Sequence, residues 1–142
     1  MAEDKTTDDL RQELMETANI EDYIKENKAL FADKDVTELL TELYDSCSIS
    51  KAVLARQAGM SEVYLHQVFS GRRNPSRDRL LCLCIGMGAT MEETQELLKQ
   101  ATHAQLYPKN KRDAIISFGI LHGVGLDEIN DKLFEENEKT LF

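Results

Sequence analysis

Apolar residues recur along most of the chain at spacings of three and four, the period of an amphipathic helix, and runs of strict alternation are few. Residues 7–31 read as one or two helices with a thin stripe of Leu10, Leu14, Ile20, Tyr23, Ile24, Leu30 and Phe31, and Asn19 is placed to cap the second. Asp35 opens a stronger stripe of Val36, Leu39, Leu40, Leu43 and Tyr44. Ser48 or Ser50 caps a short helix that carries Val53, Leu54, Ala55 and Ala58 and stops at Gly59. Ser61 caps a third helix with Leu65, Val68 and Phe69, closed by Gly71. Ser76 caps a helix through Leu80, Leu81, Leu83 and Ile85. Thr90 and Glu93 form a capping box for a helix to about Ala101. After Pro108 come helices around residues 110–122 and 126–136.

This pattern predicts an all-α protein. A five-helix centre (33–102) carries an acidic helical N-terminal extension (1–32) and a C-terminal helical hairpin (103–142). An apolar helix, a glycine turn and an acid-rich helix occur at 81–99 and again at 114–134. Helical hairpins resemble one another, so the echo leaves duplication open. Ile115, Ile116, Phe118, Ile120 and Leu121 are more apolar surface than one exposed helix should show. They must be covered by the domain or by a second copy of the chain.

Charge sharpens the picture. The net charge of −9 argues against a simple nucleic-acid binder, but it is unevenly placed. Residues 1–46 hold fourteen acidic and five basic side chains, a net of −9. Residues 51–79 hold six basic side chains (Lys51, Arg56, Arg72, Arg73, Arg77, Arg79) and two acidic ones (Glu62, Asp78), a net of +4. The acidic N-terminal stretch has three readings: a solvated face, a packing or dimer contact through Leu10, Leu14, Tyr23 and Ile24, or a mimic of DNA charge.

The basic segment contains the run S-K-A-V-L-A-R-Q-A-G-M-S-E-V-Y-L-H-Q-V-F-S-G-R-R-N-P, Ser50 to Pro75. Two short helices joined through Gly59-Met60-Ser61 need small and apolar inner residues to cross sharply, and Ala55, Leu54, Leu65 and Val68 supply them. With Leu54-Ala55, Gly59, Ser61, Leu65, Val68, Gly71, Arg73, Pro75 and Leu80-Leu81 in this spacing, residues 35–101 resemble the Cro/CI (lambda-repressor-like, XRE) helix-turn-helix family of DNA-binding transcriptional regulators.

The resemblance implies a lambda-repressor-like five-helix domain whose recognition helix, about 61–70, enters the major groove of double-stranded DNA. It puts Glu62, Val63 and Gln67 at base edges with Tyr64 and His66 on the flanks, and Lys51, Gln57, Arg72, Arg73 and Arg77 at phosphates. A homodimer from a bacterium or phage would suit paired half-sites. Four departures stand out. Glu62 replaces a usual Gln or small polar residue, Tyr64 is bulkier than usual, and Phe69, like Val53, replaces a common Glu. Phe69 adds core packing or an exposed apolar contact. An alternative keeps the fold but turns Glu62, Tyr64 and Phe69 towards a protein partner, as in an antitoxin-like regulator. Arg72, Arg73 and Arg77 have a plainer reading as a solvated basic loop.

Other chemistry finds little purchase. Cys82 and Cys84 read as small buried hydrophobes, and His66, His103 and His122 lack metal-ligand spacing. The sequence therefore predicts no metal, no cofactor and no enzyme: it has no Gly-rich phosphate loop, nucleophile elbow or metalloprotease signature. No apolar run approaches the roughly 20 residues of a membrane span. An acidic N-terminus without a signal-like stretch, together with three cysteines in no disulfide framework, points to the cytoplasm.

Overall fold

The structure is a computed structural model that describes residues 5–28 and 35–142. The elements among these residues are helical, as the spacing predicts, and no strand occurs among them. They are α1 (Thr7–Glu16), α2 (Ile20–Glu26), α3 (Val36–Asp45), α4 (Lys51–Gln57), α5 (Glu62–Phe69), α6 (Arg77–Met87), α7 (Met91–Gln100), α8 (Lys111–Leu121) and α9 (Leu126–Glu135). The chain divides into two compact units, one before Asp35 and one spanning Asp35–Phe142.

In the first unit, Thr6 and Asn19 cap α1 and α2, and Lys5 Nζ links them by donating to Glu13 (2.6 Å) and to Asn27 Oδ1 (2.8 Å). Leu30 and Phe31, assigned to this stripe from the sequence, lie outside the described residues.

In the second unit short polar residues start the helices. Asp35, Ser50, Ser61, Ser76, Thr90 and Asn110 each accept a backbone N–H from the first turn, satisfying a donor that has no partner within the helix. Ser50, rather than Ser48, caps α4. Helices α4 to α9 all end on a left-handed residue: Gly59, Gly71, Gly88, Thr102, Gly123 and Asn137. In each case the next N–H reaches five residues back, as in Met60 N–H to Ala55 O (2.9 Å) and Val124 N–H to Gly119 O (2.8 Å). Glycine takes this conformation freely, whereas a β-branched residue such as Thr102 adopts it against its own side chain.

Helix α6 has no polar face beyond its first turn. It buries Leu80, Leu81, Cys82, Leu83, Cys84 and Met87, and a helix apolar all round must be covered all round. α4, α7 and α9 pack on it, and α3 closes over α5 and α7. The hairpin α8–α9 is held tightly because Gly119 has no side chain: a Cβ there would overlap the Ile129 side chain. Ile116 is fully buried and Ile115 and Ile120 partly so, leaving Phe118 and Leu121 outward. The sequence sets a boundary at 102/103. The structure folds 103–142 into the same compact unit as the five central helices.

The thiols Cys82 and Cys84 are free and buried. Desolvation, reinforced for Cys82 by the Asp78 charge, pushes their pKa values up to about 11 and about 12 from an ordinary 9.0. Below 9.0 both stay protonated whether the chain is folded or not. Above it the unfolded chain releases its thiol protons first, so these groups favour unfolding as pH climbs towards 11–12. Urea unfolding followed across this range should show stability falling with pH, and replacing both cysteines by Ala should flatten the decline.

Candidate nucleic-acid interface

Helices α4 and α5 are joined by Ala58-Gly59-Met60-Ser61. Leu54, Ala55 and Ala58 on α4 and Leu65 and Val68 on α5 are buried, which fixes both helices by their inner faces. Gly59 has φ +68°, a left-handed conformation that favours glycine, and a Cβ there would come within 2.6 Å of the exposed Phe142 ring, which would have to move aside. The opposite face of α5 is left to solvent. Glu62, Val63 and His66 are exposed, Val63 at 68%, while Tyr64 and Gln67 are half-buried.

The basic side chains stand around this face. Lys51 Nζ lies 5.0 Å from the Phe69 ring centre and 5.5 Å from that of Tyr44, and the two rings meet edge to face at 5.5 Å. Phe69 therefore packs under Lys51 and against Tyr44, which resolves the two alternatives left by the sequence in favour of packing. Arg72 and Arg73 are exposed in the loop after α5, and Gln57 is exposed at the last residue of α4. Arg73 Nε donates to Gln67 Oε1 at 2.8 Å. Tyr64 serves as a plate for two guanidinium groups, with Arg79 Cζ 4.5 Å and Arg73 Cζ 5.3 Å from its ring centre. An open groove of about 580 Å3 brings Lys51, Val63, His66, Gln67 and Arg72 together.

Residues 35–97, under half of the chain, match a family model described as a helix-turn-helix domain. These residues are a helix-turn-helix domain. The match agrees with the resemblance read from the sequence. No curated protein and no solved structure matches the chain.

Within the helix-turn-helix domain Arg77 is not where the resemblance implied. Its Nη1 and Nη2 donate to both carboxylate oxygens of Asp113 (3.1 and 2.9 Å), its Nε donates to the carbonyl of Ala104 (2.8 Å) and its Nη2 also to that of Gln105 (3.2 Å). Beside it Asp78 accepts a bidentate pair from Arg112 (3.0 and 3.1 Å), whose other donors reach the carbonyls of Lys139 and Thr140. An Arg-Asp step on α6 is thus crossed with an Arg-Asp step on α8. Arg77 holds the C-terminal hairpin in place, and its guanidinium is spent on protein acceptors.

Arg79, exposed and set against the Tyr64 ring of α5, stands beside the candidate interface instead, and the site residues named from the sequence omit it. A signal was present. Residues two apart on a helix point about 200° apart, so Arg77 and Arg79 could not both face α5. Choosing between them needed Asp113, a partner 36 residues further on. Among the described residues no group of three or more His, Cys, Asp or Glu is arranged to hold a metal ion.

The two arginines should separate cleanly on substitution. Arg77→Ala leaves the nearly buried Asp113 carboxylate without its cation, and urea unfolding should show a loss of roughly 2–4 kcal/mol. Arg79→Ala removes an exposed cation and should stay within about 0.5 kcal/mol of the parent.

Proposed function

We propose that the chain is a DNA-binding transcriptional regulator whose recognition helix α5 enters the major groove while Lys51, Arg72, Arg73 and Arg79 hold the phosphate backbone. The observation that carries this reading is the concentration of cations around the exposed face of α5 in a chain whose net charge is −9. Cations beside a groove-sized helix supply the sequence-independent part of DNA affinity, and Glu62, Val63, His66 and Gln67 supply the part that reads bases. Tyr64, half-buried beneath two arginines, supports them from below. Gln57 stands as a further backbone contact. Action is non-covalent: occupancy of an operator alters access of polymerase to a promoter, in the cytoplasm of a bacterium or of a phage-infected cell.

The regulator acts as a homodimer in this reading. Phe118, Leu121 and Phe134 are 60%, 66% and 77% exposed on the α8–α9 hairpin, beside an open groove of about 760 Å3 that Ile115 and Val124 help to line. A second copy covering this apolar surface would bring two recognition helices to two half-sites. A protein partner in place of DNA has less support, because two of the three side chains it would use are already occupied. Phe69 lies against Tyr44 and Lys51, and Tyr64 lies beneath Arg73 and Arg79.

Fluorescence anisotropy of the full-length protein on mixed genomic duplexes at several salt concentrations tests the central claim. Four phosphate-neutralising cations per protomer predict a slope of log K against log salt of roughly −3 to −4 per protomer. Arg79→Ala should weaken binding to all duplexes and make the slope shallower by about 1 per protomer. Absence of binding at low salt overturns the reading. Light scattering during gel filtration tests the dimer: the parent should elute as a dimer, and Phe118→Asp with Phe134→Asp as a monomer. A monomeric parent at DNA-binding concentrations removes the dimer from the proposal.

A further inference from the structure

We infer that the basic face around α5 of one copy docks into an acidic groove between α3 and α7 of another, so that copies free of DNA associate head to tail. The groove, about 410 Å3 and open to solvent, is lined by two helices that pack on each other. Half-buried Leu39 and Leu43, one turn apart on α3, supply its apolar lining. Exposed Glu42, Glu92, Glu93 and Glu96 supply the rest of its character, and no Lys, Arg or His lines it. Glu93 Oε1 accepts the Thr90 backbone N–H (2.8 Å) and Glu96 Oε1 accepts from Gln100 Nε2 (3.0 Å). Both donors are neutral, so the two negative charges stand.

The complement of this groove is present on the same molecule. Val63 is 68% exposed on α5, and Lys51 and Arg72 line one open groove with it. Arg73 and Arg79 stand nearby against the Tyr64 ring. Glu62 is the one carboxylate that α5 carries. An apolar side chain among cations thus matches an apolar strip among carboxylates. Such patterns select a partner and its orientation more than they add affinity. Exposed ion pairs contribute little singly, so the contact is weak and sensitive to salt.

The two surfaces of one copy cannot meet each other. Both belong to the compact unit Asp35–Phe142, in which α3 packs against α5 and against α7. The occupant is therefore a second copy. Groove and face are different patches, so the contact does not close a pair, and each docked copy offers a free patch to the next. The cations are those assigned to phosphates above, so DNA and a neighbouring copy exclude each other on α5. That competition rests on the DNA-binding reading, whereas docking between copies does not. Duplex DNA carries one charge per roughly 1.7 Å of axis and displaces the four carboxylates of the groove. The protein keeps its DNA-binding face covered until DNA takes it.

Light scattering of the full-length protein without DNA, at rising concentration and two salt levels, tests the docking. At about 50 mM salt the average mass should climb with concentration. At about 0.5 M it should return to a constant monomer or dimer value, because exposed charges are then screened within roughly 4 Å. Glu92→Gln with Glu96→Gln should stop the climb and leave duplex binding in place. Arg72→Gln with Arg73→Gln should stop it from the other side. Mixed in equal amounts, the two double variants should regain one contact, since the intact face of the first fits the intact groove of the second. A short duplex should disperse the parent assembly. A mass that stays constant at low salt, mixed variants that stay apart, or a duplex that binds without dispersing the assembly each overturn the inference. So does a labelled lysine–leucine amphipathic peptide that binds the parent but not the Glu92→Gln, Glu96→Gln variant while copies stay dispersed, which assigns the groove to another basic protein. A duplex that fails to bind overturns the DNA-binding reading alone and leaves self-docking supported by its salt dependence and by the mixed variants.

Discussion

Helix α6 carries the second unit. Leu80, Leu81, Cys82, Leu83, Cys84 and Met87 leave it no side that water can face, so neighbouring helices must close around it. α4 does so from the side of the helix-turn-helix pair, α7 through the Gly88 turn, and α9 from the C-terminal hairpin. Its only charged stretch is the first turn, and there Arg77 and Asp78 are crossed with Asp113 and Arg112. Ion pairs with side chains this sheltered are costly to form and costlier to break singly, so their value lies in fixing one arrangement of the hairpin. Packing on α6 places α4, and α5 is held in turn against α4 and α3.

The same constraint shapes the candidate interface. Because Leu54, Ala55, Leu65 and Val68 are committed inward, the outer face of α5 is free of structural duty. Aromatic side chains then do for the cations what helices do for the core. Tyr44 and Phe69 sit under Lys51, and Tyr64 sits under Arg73 and Arg79. Each such contact contributes modestly at an exposed site, on the order of 0.5–1 kcal/mol, but it restricts long flexible side chains to one side of the helix. The net charge of −9 is compatible with DNA binding because the positive side chains are gathered and held there, while the acidic ones are concentrated before residue 47.

Much of the fold is legible in the sequence because its signals are local. Caps such as Asp35, Ser61, Ser76 and Thr90 announce helix starts through hydrogen bonds made within three residues. Glycines 59, 71, 88 and 123 announce helix ends through their own backbone angles. The exposed face of α5 was legible in part for the same reason. Exposure of Glu62, Val63 and His66 follows from burying Leu65 and Val68 on the other face of a regular helix. What stayed hidden depends on partners distant in sequence. Phe69 and Lys51 needed Tyr44, and Arg77 needed Asp113.

The sequence by itself determined the helices from α3 to α9, with one or two left open before them, most of the caps among the described residues, the all-α class and the segment that forms the helix-turn-helix domain, since each is written in periodicity or in bonds a few residues long. Only the tertiary structure decided that residues 103–142 belong to the same compact unit as the domain, that Arg77 clasps this hairpin, and that Arg79 faces α5 in its place. Those outcomes turn on which of several charged side chains meet across helices more than thirty residues apart. Local periodicity narrows the choice of direction but cannot say what waits there.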